Sequence, residues 1–234
     1  MPLRDHYHPP LKTELEWHSF HNAWASAMAF DMNQRLPEGF RAAPNVQTGI
    51  EVDVATFGGV KSTPPPKSKE CEWQGAEALQ TIPFELAGEA SEVLVYGSRD
   101  GRYLAGAIEL VSEGNKDRAE AREAFVAKCE TYLQRGAGLI IVDMVTTRSK
   151  NLHDELMARV GGPDMIAWGE RLYTTAYRPM GKNGSARLSI WREALALGKP
   201  LPAMPLWLLF GPGVSVPLEA TYEDTFRQLR LPTD

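Results

Sequence analysis

Tyr103-Leu104-Ala105-Gly106-Ala107-Ile108-Glu109-Leu110-Val111 and, further on, Gly138-Leu139-Ile140-Ile141-Val142-Asp143 are the segments on which the fold turns. The first reads as a strand with Glu109 near its end. The second is a continuous apolar run of the kind found in strands buried on both faces. Between them, Asp117 or a near neighbour opens a helix to about Gln134, which Arg135-Gly136 closes. Upstream, Glu92 to Ser98 is rich in β-formers and Arg99-Asp100-Gly101-Arg102 holds an Asp-Gly turn signal, which predicts a hairpin leading into Tyr103–Val111.

Working outward, Gly49 to Phe57 alternates apolar and polar residues, predicting a strand with Asp53 inside it. Thr13-Glu14-Leu15-Glu16 fits a capping box, and Trp17, Phe20, Trp24, Ala27 and Met28 recur at helical spacing, so a helix is expected from about 14 to 35. The resulting order is α-β-β-β-α-β. Residues 60–80, with Pro64-Pro65-Pro66 and several lysines, lack periodicity and read as a mobile insertion within one domain spanning 1–234. Asn151 is placed to cap a short helix to about Val160. Tyr173–Arg178 and Ala186–Trp191 flank Gly181-Lys182-Asn183-Gly184 as a second hairpin, and a proline-rich run from Pro200 to Pro205 precedes a final helix at about Leu218–Leu229.

The 234 residues are 43% hydrophobic and 24% charged, enough apolar content for a core and too much for general disorder. No run approaches the roughly 18 apolar residues of a membrane span, and Met1 to Pro10 carry charge and prolines where a signal peptide is apolar, so a cytoplasmic protein without a membrane partner is expected. Cys71 and Cys129 lack any zinc-ligand spacing. The formal charge of −5 disfavours non-specific binding to polyanions and requires any nucleic-acid contact to come from a local basic patch.

Phosphodiester cleavage assisted by Mg²⁺ needs carboxylate oxygens for the cation and a nearby positive group to stabilise charge or orient water. Asp53 and Glu109 each interrupt a largely apolar strand where a buried carboxylate is costly. The plainer alternative is an exposed or lysine-paired carboxylate at a strand end. Lys128 falls within the helical stripe of Ala121, Phe125, Cys129 and Tyr132, so it either snorkels to water or reaches the carboxylates of the sheet.

The run Ala107-Ile108-Glu109-Leu110-Val111-Ser112-Glu113-Gly114-Asn115-Lys116, followed by Phe125, Lys128, Tyr132, Gly136 and Leu139-Ile140-Ile141-Val142-Asp143, resembles the Glu-Val-Leu-Ser-Pro, Lys, Tyr, Gly and Val-Asp series of the Uma-type endonucleases of the PD-(D/E)XK superfamily. From Met1-Pro2-Leu3-Arg4-Asp5-His6 through Phe20-His21-Asn22-Ala23-Trp24 to the final helix, the chain is also similar to a bacterial family of unknown function that shares these blocks. The resemblance implies a restriction-endonuclease-like α/β fold, in which a mixed central sheet is flanked by helices. It also implies an Mg²⁺- or Mn²⁺-dependent nuclease with Asp53 and Glu109 on the metal and DNA as partner, and leaves a homodimer open. Val52 stands where the full motif has proline, and Val111 where it has lysine. Lysines shifted to the following helix are known in the superfamily, which makes Lys128 the first substitute and Lys116 the second. Without an ammonium in the site, the same fold would serve as a degenerate nucleic-acid-binding or protein-interaction module.

His21, at the edge of the first helical stripe, reads as a histidine satisfied in or near the core, with a lateral contact to the site as the alternative. His6 and His8 read as a surface segment, and His153-Asp154-Glu155 as a solvated helix start. Arg99, Arg102, Lys116, Arg118 and Arg122 form a basic patch only if they share a face; the interspersed Glu113, Asp117, Glu120 and Glu123 favour a mixed-charge surface. The six tryptophans are explained by core packing.

Overall fold

The computed structural model describes residues 1–47, 51–58, 73–84, 103–162, 164–181 and 186–232. The expected strand Glu92–Ser98, its Asp-Gly turn, most of the 60–80 insertion, Cys71 and Lys182-Asn183-Gly184 lie outside them.

Helices α1 (Leu11–Glu14) and α2 (Trp17–Asn33) precede strands β1 (Phe40–Gln47), β2 (Glu51–Gly58), β3 (Gln80–Pro83) and β4 (Tyr103–Leu110). After these come α3 (Glu113–Asp117), α4 (Ala119–Gln134), β5 (Gly138–Asp143), α5 (Leu152–Gly161), β6 (Tyr173–Met180), β7 (Arg187–Ala194), β8 (Ala203–Trp207), β9 (Gly213–Pro217) and α6 (Leu218–Gln228). Seven strands form one sheet in the order β1-β2-β4-β5-β6-β7-β3, and β8 pairs with β9 separately. All sheet pairings are antiparallel except β4–β5, which is parallel and is joined through α3 and α4. A parallel neighbour requires a crossover, which lays α4 across one face of the sheet. The molecule is thus a mixed α/β protein with a mostly antiparallel sheet flanked by helices.

Alternation along the strands sends residues into two cores. Ile108, Leu110, Ile140 and Val142 meet Phe20, Trp24 and Met28 of α2, Tyr222 and Phe226 of α6, and Leu206 of the β8–β9 hairpin. Ala107, Leu139, Ile141, Tyr173 and Tyr177 meet Phe125, Cys129 and Tyr132 of α4 and Leu152 and Leu156 of α5. β5 is buried along its whole length, as its apolar run predicts. Gly138 opens β5 with no side chain because a Cβ there would run into the backbone carbonyl of Trp207.

Several local expectations are corrected. Thr13 is not the cap of a long helix: its hydroxyl donates to the Pro10 carbonyl, and α2 starts at Trp17. β1 carries Pro44 and polar Arg41, Asn45 and Gln47, which hide it from pattern reading; as an edge strand it tolerates the missing amide donor. β3, with Pro83, guards the opposite edge. Residues 73–79, inside the expected insertion, are tied down: the Trp73 amide donates to Gly213, and the Trp73 and Trp191 indoles both donate to the Ala76 carbonyl. The helix after Glu109 begins as a separate turn, α3, capped by reciprocal Ser112 and Asn115 bonds. Asn151 caps α5 through the Asp154 amide, as expected. Among the described residues no helix is long and apolar enough to cross a membrane.

Lys116 is sealed into the fold. Its Nζ lies 2.8 Å from Asp143 Oδ2, with both side chains at 0% exposure. Removing one member of such a pair strands the other charge. Lys116→Met is expected to cost about 3–5 kcal/mol, read as a lower urea midpoint, whereas Lys116→Met combined with Asp143→Leu should recover most of that loss. Equal midpoints for Lys116→Met and the wild type would refute the assignment.

Candidate active site

β2 and β4 run antiparallel with Val54 opposite Ile108 and Ala55 opposite Ala107, so the continued register sets Asp53 beside Glu109 at the end of the ladder. The pleat turns Glu109 toward α4, since Ile108 and Leu110 on either side enter the other core. From α4, Lys128 Nζ reaches Glu109 Oε2 at 2.7 Å. Tyr132, one turn further along, also approaches this carboxylate. The methylene stem of Lys128 runs past Phe125, with the ammonium 5.1 Å from the ring centroid and the side chain 20% exposed. It therefore connects the carboxylate to solvent.

Asp53 is fixed from two sides. Its Oδ2 accepts the Leu110 amide at 2.6 Å, tying the start of β2 to the exit of β4. His21 Nε2, from α2, stands 3.0 Å from Asp53 Oδ1, at ion-pair distance but out of alignment for a directed hydrogen bond. Elements from both faces of the sheet thus meet in the row His21, Asp53, Glu109, Lys128. Asp53, Glu109 and Lys128 come together as the sequence indicates. His21 joins them instead of being satisfied in the core, and its position at the stripe's edge was the available signal.

Electrostatics follow from burial. Glu109 is 1% exposed, and burial pushes its carboxyl up to about 8, with the Lys128 charge opposing and the Asp53 charge reinforcing the shift. Among the described residues its second oxygen, Oε1, is buried and makes no well-aligned hydrogen bond. Burial works against the charged forms of His21 and Lys128, but contact with Asp53 in one case and Glu109 in the other outweighs it, and both pKa values are raised. Cys129, buried beside this site, has its thiol pushed well up by burial, which favours the protonated form.

Other candidates fall elsewhere. Lys116, the second choice for the ammonium, is committed to Asp143. His6 is no surface residue: its ring packs on Phe20 and its Nε2 lies 2.8 Å from the Tyr222 hydroxyl, and burial lowers its pKa to about 3. His8 is exposed and pairs with Asp5. His153 is buried as well, its Nδ1 2.6 Å from the Tyr177 hydroxyl, while Asp154 accepts the Trp168 and Gly169 amides. Arg118 and Arg122 pair with Asp117 and Glu155, so the mixed-charge reading holds for them; Arg99 and Arg102 lie outside the described residues. Among the described residues no group of three or more His, Cys, Asp or Glu side chains is arranged to hold a metal. No family model, curated protein or solved structure matches the chain.

Glu109, with an ordinary value of 4.5 and a folded value of about 8, takes up a proton on folding between those values. The folded state then binds more protons than the unfolded one, so stability falls as pH rises through that window. His21 acts in the same direction near and above its ordinary 6.5, its stabilisation being lost as pH rises through its raised value. The wild type is expected to lose urea resistance relative to Glu109→Gln between about pH 5 and about pH 8. Parallel midpoints across that range would contradict the burial-driven shift.

Proposed function

We propose that the chain is a divalent-metal-dependent nuclease built on a restriction-endonuclease-like core, acting on DNA phosphodiesters. The observation that carries the reading is the ammonium of Lys128 reaching the Glu109 carboxylate from the helix after it, with Asp53 alongside on the neighbouring strand. The chain order α2, β1, β2, β4, α4, β5, with its parallel β4–β5 pair, supports the same reading. Val111, where the full motif has lysine, is buried in the apolar core, and Lys128 supplies an amine from α4 instead.

The donors present fit a hard cation that keeps much of its own water and takes only one or two carboxylates. Glu109, through its buried Oε1, and Asp53 would hold it. When bound, such a cation lowers the pKa of its water and offsets charge on the phosphate. The protein's own groups do the rest. Lys128, at the solvent side of the carboxylates, neutralises phosphate charge or orients the attacking water. His21 steadies Asp53 through the contact with its Oδ1. The raised pKa of Glu109 would couple binding of a cation to loss of the Glu109 proton, so activity is expected to rise with pH toward about 8.

A second reading, a catalytically inert module on the same fold, is favoured by one observation. Asp53 is engaged by Leu110 and His21 and Glu109 by Lys128, and both carboxylates are buried. The two readings separate in one series with plasmid and single-stranded DNA in Mg²⁺ or Mn²⁺. The nuclease is expected to cleave, and Asp53→Asn, Glu109→Gln and Lys128→Met each to lose about a hundredfold or more while circular dichroism stays unchanged. Absence of cleavage, together with no heat on Mn²⁺ titration that depends on Glu109, would leave the inert module.

A further inference from the structure

At the other end of the sheet, Gly136, the end of β6 and the turn between β8 and β9 enclose a cleft of about 290 Å³. Its distance from the carboxylates follows from the pairing: β5 enters at Gly138, whose neighbour Leu139 lies opposite Tyr177, whereas Glu109 lies further along, beside Ile141. Arg178 lines the cleft, its guanidinium stacked 3.8 Å over the ring of Trp207, which stacks in turn on Trp191. Stacking uses the flat face of the guanidinium and leaves its N–H edges free to donate. Among the described residues no carboxylate pairs with Arg178, although burial acts against its charge. A partly desolvated guanidinium without a counter-ion is costly until an anion reaches it.

A second observation lies in the same cleft. Phe210 is 77% exposed and has φ 59°, a left-handed conformation that residues with a Cβ seldom adopt. The ring of Tyr103 meets it edge-on, with centroids 5.6 Å apart, and fixes its orientation. An aromatic ring held out by a strained backbone, beside a cation that pairs with no carboxylate among the described residues, has the two halves of a recognition site.

We propose that this cleft binds a small aromatic anion, its ring packed on Phe210 and its phosphate or carboxylate on the edge of Arg178. The volume is at the lower end for ligand sites and suits a single nucleotide or an aromatic acid, not a dinucleotide cofactor. The proposal is independent of the carboxylate site.

Calorimetric titration of the full chain with adenosine 5′-monophosphate, indole-3-acetate, adenosine and inorganic phosphate tests it. One or both of the first two are expected to bind, which identifies the anion, with adenosine and phosphate at least about tenfold weaker. Arg178→Met keeps a stem over Trp207 but removes the fork, and Phe210→Gly removes the ring while suiting the backbone. Each should weaken binding at least about tenfold with the unfolding midpoint within about 2 °C of the wild type. Glu109→Gln should bind as the wild type does. No binding of either aromatic anion, phosphate or adenosine binding equally well, or full affinity in either cleft variant would overturn the proposal.

Discussion

A carboxylate withdrawn from water on a central strand is the constraint around which this molecule is arranged. Glu109 sits on β4, whose parallel partner β5 obliges the chain to cross one face of the sheet. That crossing is α4, and α4 carries the ammonium that offsets the buried acid. Fold and site are therefore one arrangement: the pairing that demands the helix also delivers Lys128. Asp53 adds a second bond to the same place, since it accepts the Leu110 amide where β4 leaves the ladder.

Two amine–carboxylate pairs lie close together in sequence and play opposite parts. Lys116 and Asp143 are shut away and link the turn after β4 to the end of β5. Lys128 and Glu109 are similar in chemistry but keep a route to solvent along the lysine stem. Solvent access, more than residue type, separates a fastening from a candidate catalytic pair.

Much of this was legible in the chain. Asp53 and Glu109 drew attention because charges inside apolar strands need a reason, and the stripe of α4 showed Lys128 facing inward. The hairpin of β6 and β7 and the Asn151 cap were equally plain. What escaped depended on partners remote in sequence. Lys116 and Lys128 both follow Glu109 on helices, and only the placement of Asp143 in β5 assigns the first of them elsewhere. His6 and His153 looked like surface residues because nothing local announces Tyr222 or Tyr177. The edge strand β1 was masked by Pro44, a residue that depresses strand signals and yet suits an edge.

The bare backbone of Gly138 against the Trp207 carbonyl has an implication for biosynthesis. The β8–β9 hairpin and α6 supply Leu206, Val214, Val216, Tyr222 and Phe226 to the core that also holds Phe20, Trp24 and Ile140. On a ribosome, the earlier strands and α2 emerge with that greasy face uncovered and wait for residues 203–228 to seal it. Until then the nascent chain presents an adhesive surface, which is the condition that holdase chaperones recognise.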